Sequence, residues 1–427
     1  MKKLIAIIVS VLLMLSLFTA CSNGEAKTSS KEDSSASQNE PKPIPKPEPE
    51  PEPLTPEPLT GLEKDDSYPN GKAPVAVMVN NIKIGQGRDA FPQWGISEAD
   101  LIYEMVTEGG ITRLMAVFQD YANMPSVGPV RSARDQHAQM MMPYNALYVH
   151  EGASQFAKRM LGAGVGADTY NPDDYSMYDY RDRDLYLGSQ NLNTGSIVQW
   201  NHELMNSGRA QEMCAYTSGE AVSKAVENGA NDSGEPEPIF NFVSYEEPAR
   251  ILPDGDAQSI FVQYSGTDLS GYHAQFDYDA AEGVYYKTDT RGMPHLDGNN
   301  DKQLKFDNVL VLFTDVVPYS SLGLDAGQLS FVDYSNGGMG YYFSKGTYQI
   351  VGWIKGLPDS PLRIMNIDGY DTDIQINTGK TYVGVTDYAN YDLSQINGLS
   401  FNKELHPKEE TPEVSSETTS EISSTAN

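Results

Sequence analysis

The chain has 427 residues, a formal charge of −29 and two cysteines, Cys21 and Cys214. So negative a field repels nucleic acid and anionic lipid head groups, which excludes nucleic-acid binding as a general role. Two cysteines permit at most one disulfide, so the folded part depends on its core.

Residues 1–20, MKKLIAIIVSVLLMLSLFTA, read as an export signal: Lys2 and Lys3, then an apolar run from Leu4 to Phe18. That run is shorter than the roughly 20 residues a membrane-crossing helix needs, and Thr19-Ala20 forms a small-residue exit. Cys21 follows directly and resembles the lipobox cysteine of bacterial lipoproteins, although Phe18 stands where leucine is usual. The resemblance implies lipidation at Cys21. Residues 21–60 are the lipidated cysteine and a disordered spacer rich in Pro and Glu. About twenty such residues in polyproline II span about 60 Å. Residues 403–427 form an acidic tail, disordered on the same grounds.

Residues 61–230 read as an N-terminal mixed α/β sandwich domain, 231–238 as a linker, and 239–402 as a mostly antiparallel β domain; the fold class is α+β. "APVAVMVNN" is a β-branched strand ending at Asn80 and Asn81. "ADLIYEMVTEGGITRLMAVFQDY" is a hairpin. If Gly109-Gly110 is a two-residue loop, Val106 faces Arg113. Glu104, Val106 and Glu108 then share a sheet face with Arg113, which lies diagonal to both carboxylates.

"GPVRSARDQH", 128–137, sets Arg131 and Arg134 around a Ser-x-x-Asp pattern, with Ser132 as N-cap and Asp135 as its reciprocal partner. Two guanidiniums at a helix start would seat a carboxylate or phosphate. They would equally neutralise Glu104 and Glu108 internally. "NALYVHEGAS" is a buried strand ending at His150, where α/β ligands often bind. Ser154 caps the next helix and lacks the flanking glycines of a nucleophile elbow. Two further helices are expected in "TGSIVQWNHELMNSG" and "SGEAVSKAVENGA". Cys214 reads as a small buried apolar residue. The acidic loops "LPDGDAQS", "HLDGNND" and "YDYRDRD" read as solvated turns, and no metal or cofactor is expected.

In order and spacing, "PVAVMVNN", "SEADLIYEMVTEGGITRLMAVFQ", "VGPVRSARD" and "ALYVHEGAS" resemble the YerB-type bacterial lipoproteins. "GYYFSKGTYQIVGWIKG" and "NTGKTYVGV" extend the resemblance into the second half. It implies two consecutive domains of unknown function behind a lipoprotein address. "AFPQWGIS" departs from the family's usual Arg-Pro-Gln and small residue at Phe91 and Trp94.

The resulting expectation is a lipid-anchored protein on the extracytoplasmic face of a bacterial cell membrane. Arg113, Arg131 and Arg134 would bind an anionic or glycan cell-wall ligand, with Asn80, Asn81 and His150 as polar contacts. One alternative is a cell-wall hydrolase or transferase using Glu104 or Glu108 with His150. Another is an envelope scaffold that recruits other proteins through the β domain.

Overall fold

Buried on both faces, a strand must be apolar along nearly its whole length, and "VAVMVN" meets that requirement in β1, Val75–Asn80, up to its terminal asparagine. The computed structural model describes residues 55–401, apart from 86–87, 162–185, 188–196, 231, 233, 269 and 370. Cys21, the signal, most of the spacer and the tail lie outside the described residues, as does the loop "YDYRDRD".

Four more strands follow in the first half: β2 (Leu101–Val106), β3 (Thr112–Phe118), β4 (Leu147–Val149) and β5 (Tyr186–Leu187). The second half supplies β6 (Ser259–Gln263), β7 (His273–Asp279), β8 (Val284–Thr288), β9 (Asn308–Thr314) and β10 (Gly338–Ser344). It ends with β11 (Thr347–Ile354), β12 (Arg363–Asn366) and β13 (Thr381–Asp387). One sheet runs β12-β11-β10-β9-β13-β2-β3-β1-β4-β5. A smaller, wholly antiparallel sheet contains β8-β7-β6. The architecture is α+β, with few and short helices.

The two halves therefore meet inside a sheet. β2 pairs in parallel with β13, from Leu101 opposite Thr381 to Met105 opposite Val385. The smaller sheet and α4 (Gly219–Glu227) cover one face; Val77, Ile102, Leu114, Val222, Phe276 and Val311 share that core. The other face carries α1 (Asp135–Met141) and α2 (Gln155–Met160). Met78, Tyr103, Met115, Met140, Leu312 and Val383 meet there. Segment 231–238 thus separates two stretches of sequence that share both cores. Leu59, placed in the spacer by composition, is fully buried.

The expected caps are found where a side chain reaches the first turn. Ser154 Oγ accepts from Ala157 N, and Ser218 Oγ from Ala221 N. The helix expected in 194–208 is shorter: Gln199–Trp200 pairs as strand with Ala215–Tyr216, and α3 occupies His202–Asn206. Cys214 is a buried free thiol against the Ala210 carbonyl.

Candidate functional site

Hairpin register decides which side of the sheet each carboxylate serves. The loop holds three residues, Glu108-Gly109-Gly110, not two: Thr107 N donates to Ile111 O at 2.8 Å. Both glycines have positive φ, 58° and 78°. Val106 therefore faces Thr112, and Met105 faces Arg113. Because side chains alternate, this one-residue shift moves Arg113 to the face opposite Glu104. The expected arrangement of two glutamates and Arg113 on one face is corrected accordingly. Glu108, out in the loop, still reaches Arg113.

On the face carrying α1 and α2, Glu108 joins two guanidiniums. Arg134 binds it through two parallel bonds, Nε to Oε2 at 2.9 Å and Nη2 to Oε1 at 2.8 Å. Arg113 Nη2 also donates to Glu108 Oε1, and Arg113 Nη1 donates to the Ser132 carbonyl at 2.6 Å. Burial would raise the Glu108 pKa, but Arg113 and Arg134 outweigh it and hold the carboxyl below its ordinary range. Burial, reinforced by Arg134, pulls Arg113 down to about 9 against the attraction of Glu108. The Arg113 and Arg134 side chains are 2% and 9% exposed, whereas Glu108 is 27% exposed.

The backbone geometry explains why Arg131 and Arg134 are here. β1 outruns β4: their pairing covers only Val75–Val77. Residues 129–131 take up the vacated edge, with Arg131 N donating to Met78 O and Asn80 N to Pro129 O. The arginines thus lie across the carboxyl ends of two parallel strands. Arg131 is half-buried, and among the described residues its side chain has no ion pair.

The expected capping box is absent. Helix α1 starts at Asp135 with Arg134 at its N-cap and no side-chain cap bond. Ser132 contributes its carbonyl to the two arginines. Asp135 is enclosed and accepts from the Tyr319 hydroxyl; burial pushes it up to about 6. At seven residues, α1 offers no separate anion seat. His150 is buried with Nδ1 donating to the Gly152 carbonyl at 2.7 Å, and burial lowers it to about 4, so it is a neutral imidazole.

On the opposite face, Glu104 is fully enclosed. It accepts from Asn81 Nδ2 (3.0 Å), Thr112 Oγ1 (2.8 Å) and Tyr382 Oη (2.8 Å), and pairs with Lys287 Nζ (3.3 Å). Lys287 also donates to His295 Nδ1 at 3.3 Å; His295 Nε2 donates to Gln93 Oε1, and Gln93 Nε2 to Asn81 Oδ1, both at 2.9 Å. The five side chains close a ring. Asn80, also buried, turns its amide to Met213 Sδ. Asn80 and Asn81 are therefore internal partners, a correction to their expected role as ligand contacts. Glu104 and Glu108 cannot flank one bond from opposite sides of a sheet, so a paired-carboxylate mechanism has no geometry here.

Lys287, His295 and Gln93 were not singled out from sequence. One signal existed: Lys287 shares the inward face of β8 with Tyr285, opposite Phe276 of β7. The departures Phe91 and Trp94 each lie beneath a guanidinium, Arg291 at 4.0 Å and Arg209 at 5.4 Å. Asp297 of "HLDGNND" accepts from the backbone N–H groups of Gly95 and Ser97. A groove of about 780 Å³ lies elsewhere, floored by Phe240, Leu362, Ile364 and Ile374, and holds none of the residues selected from sequence.

Comparison with known proteins adds a family. Residues 59–232 match the family model described as the N-terminal domain of a protein of unknown function, DUF3048, and residues 261–383 match its C-terminal domain. Across 298 residues the chain is 28% identical to YerB of Bacillus subtilis (strain 168), provisionally named a lipoprotein; this spans 69% of the chain and 77% of YerB. The crystal structure of B. subtilis YerB has a similar fold, with a TM-score of 0.60 at 23% identity, covering 78% of this chain and 96% of that one.

Proposed function

From the premise that the chain belongs to the DUF3048 family, with its consecutive N- and C-terminal domains and its lipoprotein relative, we propose an envelope protein that binds an anionic ligand at the Arg131–Arg134–Glu108 corner. In this reading Cys21 carries the lipid, the Pro-Glu segment spaces the fold from the membrane, and the ligand is cell-wall material bearing carboxylates. One observation carries it: two guanidiniums, Arg113 and Arg134, share a single carboxylate, and a third, Arg131, close enough for its charge to act on Arg113, has no acidic partner among the described residues. Such a local positive excess within a chain of charge −29 draws an anion to one place.

The test is calorimetric titration with muropeptides. Arg131→Ala should weaken binding about tenfold, the size of one charge-assisted hydrogen bond, and wild-type affinity should fall with added salt. Unchanged affinity in a folded Arg131→Ala protein would remove the reading. Cys21→Ser should move the chain from the membrane fraction to the soluble one; retention on the membrane would reject the anchor.

A further inference from the structure

The buried ring around Glu104 holds a nucleophile, an electrophile and a proton carrier together. Lys287 Nζ lies 3.3 Å from Glu104 Oε2, and Asn81 Nδ2 lies 3.0 Å from Oε1 of the same carboxylate. Gln93 Nε2 donates to the Asn81 carbonyl oxygen at 2.9 Å. Asn81, Glu104 and Lys287 are each no more than 1% exposed. The rings of Tyr382 and Phe276 lie 5.8 and 6.0 Å from the lysine nitrogen.

We propose that Lys287 and Asn81 form an intramolecular amide bond, with Glu104 carrying the protons. Lys287 Nζ passes a proton to Glu104, and its lone pair attacks Asn81 Cγ. Negative charge develops on Asn81 Oδ1, where the Gln93 N–H already points, so the donor need not reorganise. Glu104 delivers the proton to Nδ2, the Cγ–Nδ2 bond breaks, and ammonia leaves. A second proton follows the same route. The lysine ammonium and the asparagine carboxamide thus become a secondary amide and ammonium, and no oxidant is needed. The nucleophile and the leaving group sit on the two oxygens of one carboxylate, so a single proton carrier serves both. The product would fasten the end of β1 in the first half to β8 in the second. That cross-link suits an exported chain in which a Cys21 lipid leaves Cys214 no partner for a disulfide.

Peptide mass mapping of the denatured, reduced full chain tests it. The Asn81 and Lys287 peptides should appear joined, lighter than their sum by one ammonia, and trypsin should fail to cut after Lys287. Glu104→Gln and Lys287→Arg should each return separate peptides of full mass. Separate peptides in the wild-type chain overturn the proposal, whatever the variants do. A linked product in Glu104→Gln would overturn the assigned role of the carboxylate.

Discussion

Asp135 shows how one side chain sets a pH response. Its carboxyl is enclosed, and burial raises its pKa to about 6, against the Tyr319 hydroxyl bond and the charge of Arg134. The unfolded value is near 3.9. The folded state therefore holds the proton more tightly, so this group's contribution is full below about pH 4 and is lost as pH rises through 6. Asp135→Asn, which keeps the shape and an acceptor for Tyr319, should be more stable than wild type at pH 7, by on the order of 2 kcal/mol. The gap should close toward pH 4. Urea unfolding at the two pH values checks this; an equal gap at both would contradict it. Arg131 and Arg134 were legible in sequence as exceptions to the global charge. The sharing of Glu108 by Arg134 and Arg113 was legible only in part, because it depends on how the loop between β2 and β3 closes.

At the scale of elements, register governs. Sequence gives the hairpin and both its strands, but alternation cannot distinguish a two-residue from a three-residue glycine loop. The second half settles it: Ser330 N bonds Thr107 O, Gly109 N bonds Gln328 O, and Ser265 Oγ donates to the Gly110 carbonyl. Strand β13 shows a second contact of this kind. Gly384 lies opposite Glu104 in β2, and a Cβ there would run into the Tyr264 hydroxyl, which bonds Tyr382 and through it Glu104. Gly384→Ala should destabilise by about 1–3 kcal/mol through overpacking. Adding Tyr264→Phe, which removes the obstructing oxygen, should recover part of that loss. Denaturant midpoints of the single and double variants measure the coupling, and strict additivity would count against the contact.

At the scale of the whole molecule, the parallel pairing of β2 with β13 makes two sequence halves one folding unit. Trp94 lies in the first half and the buried Trp353 in the second, so with Trp200 replaced by Phe, fluorescence reports on each separately once the other is also replaced by Phe. Both reporters should give one coincident unfolding transition, as expected where cores are shared; two separated midpoints would contradict it. By itself, the sequence determined the α+β class, the strand-rich second half, the caps at Ser154 and Ser218 and the local excess of arginine. Each of these follows from periodicity, capping chemistry or charge within a short window. Only the tertiary structure decided that the two halves share a sheet, that Glu104 and Glu108 serve opposite faces, and that Asn81, Gln93, Lys287 and His295 close a ring. Those facts rest on contacts between residues as far apart in sequence as Leu101 and Thr381, and no local pattern encodes which distant strand a given edge will pair with.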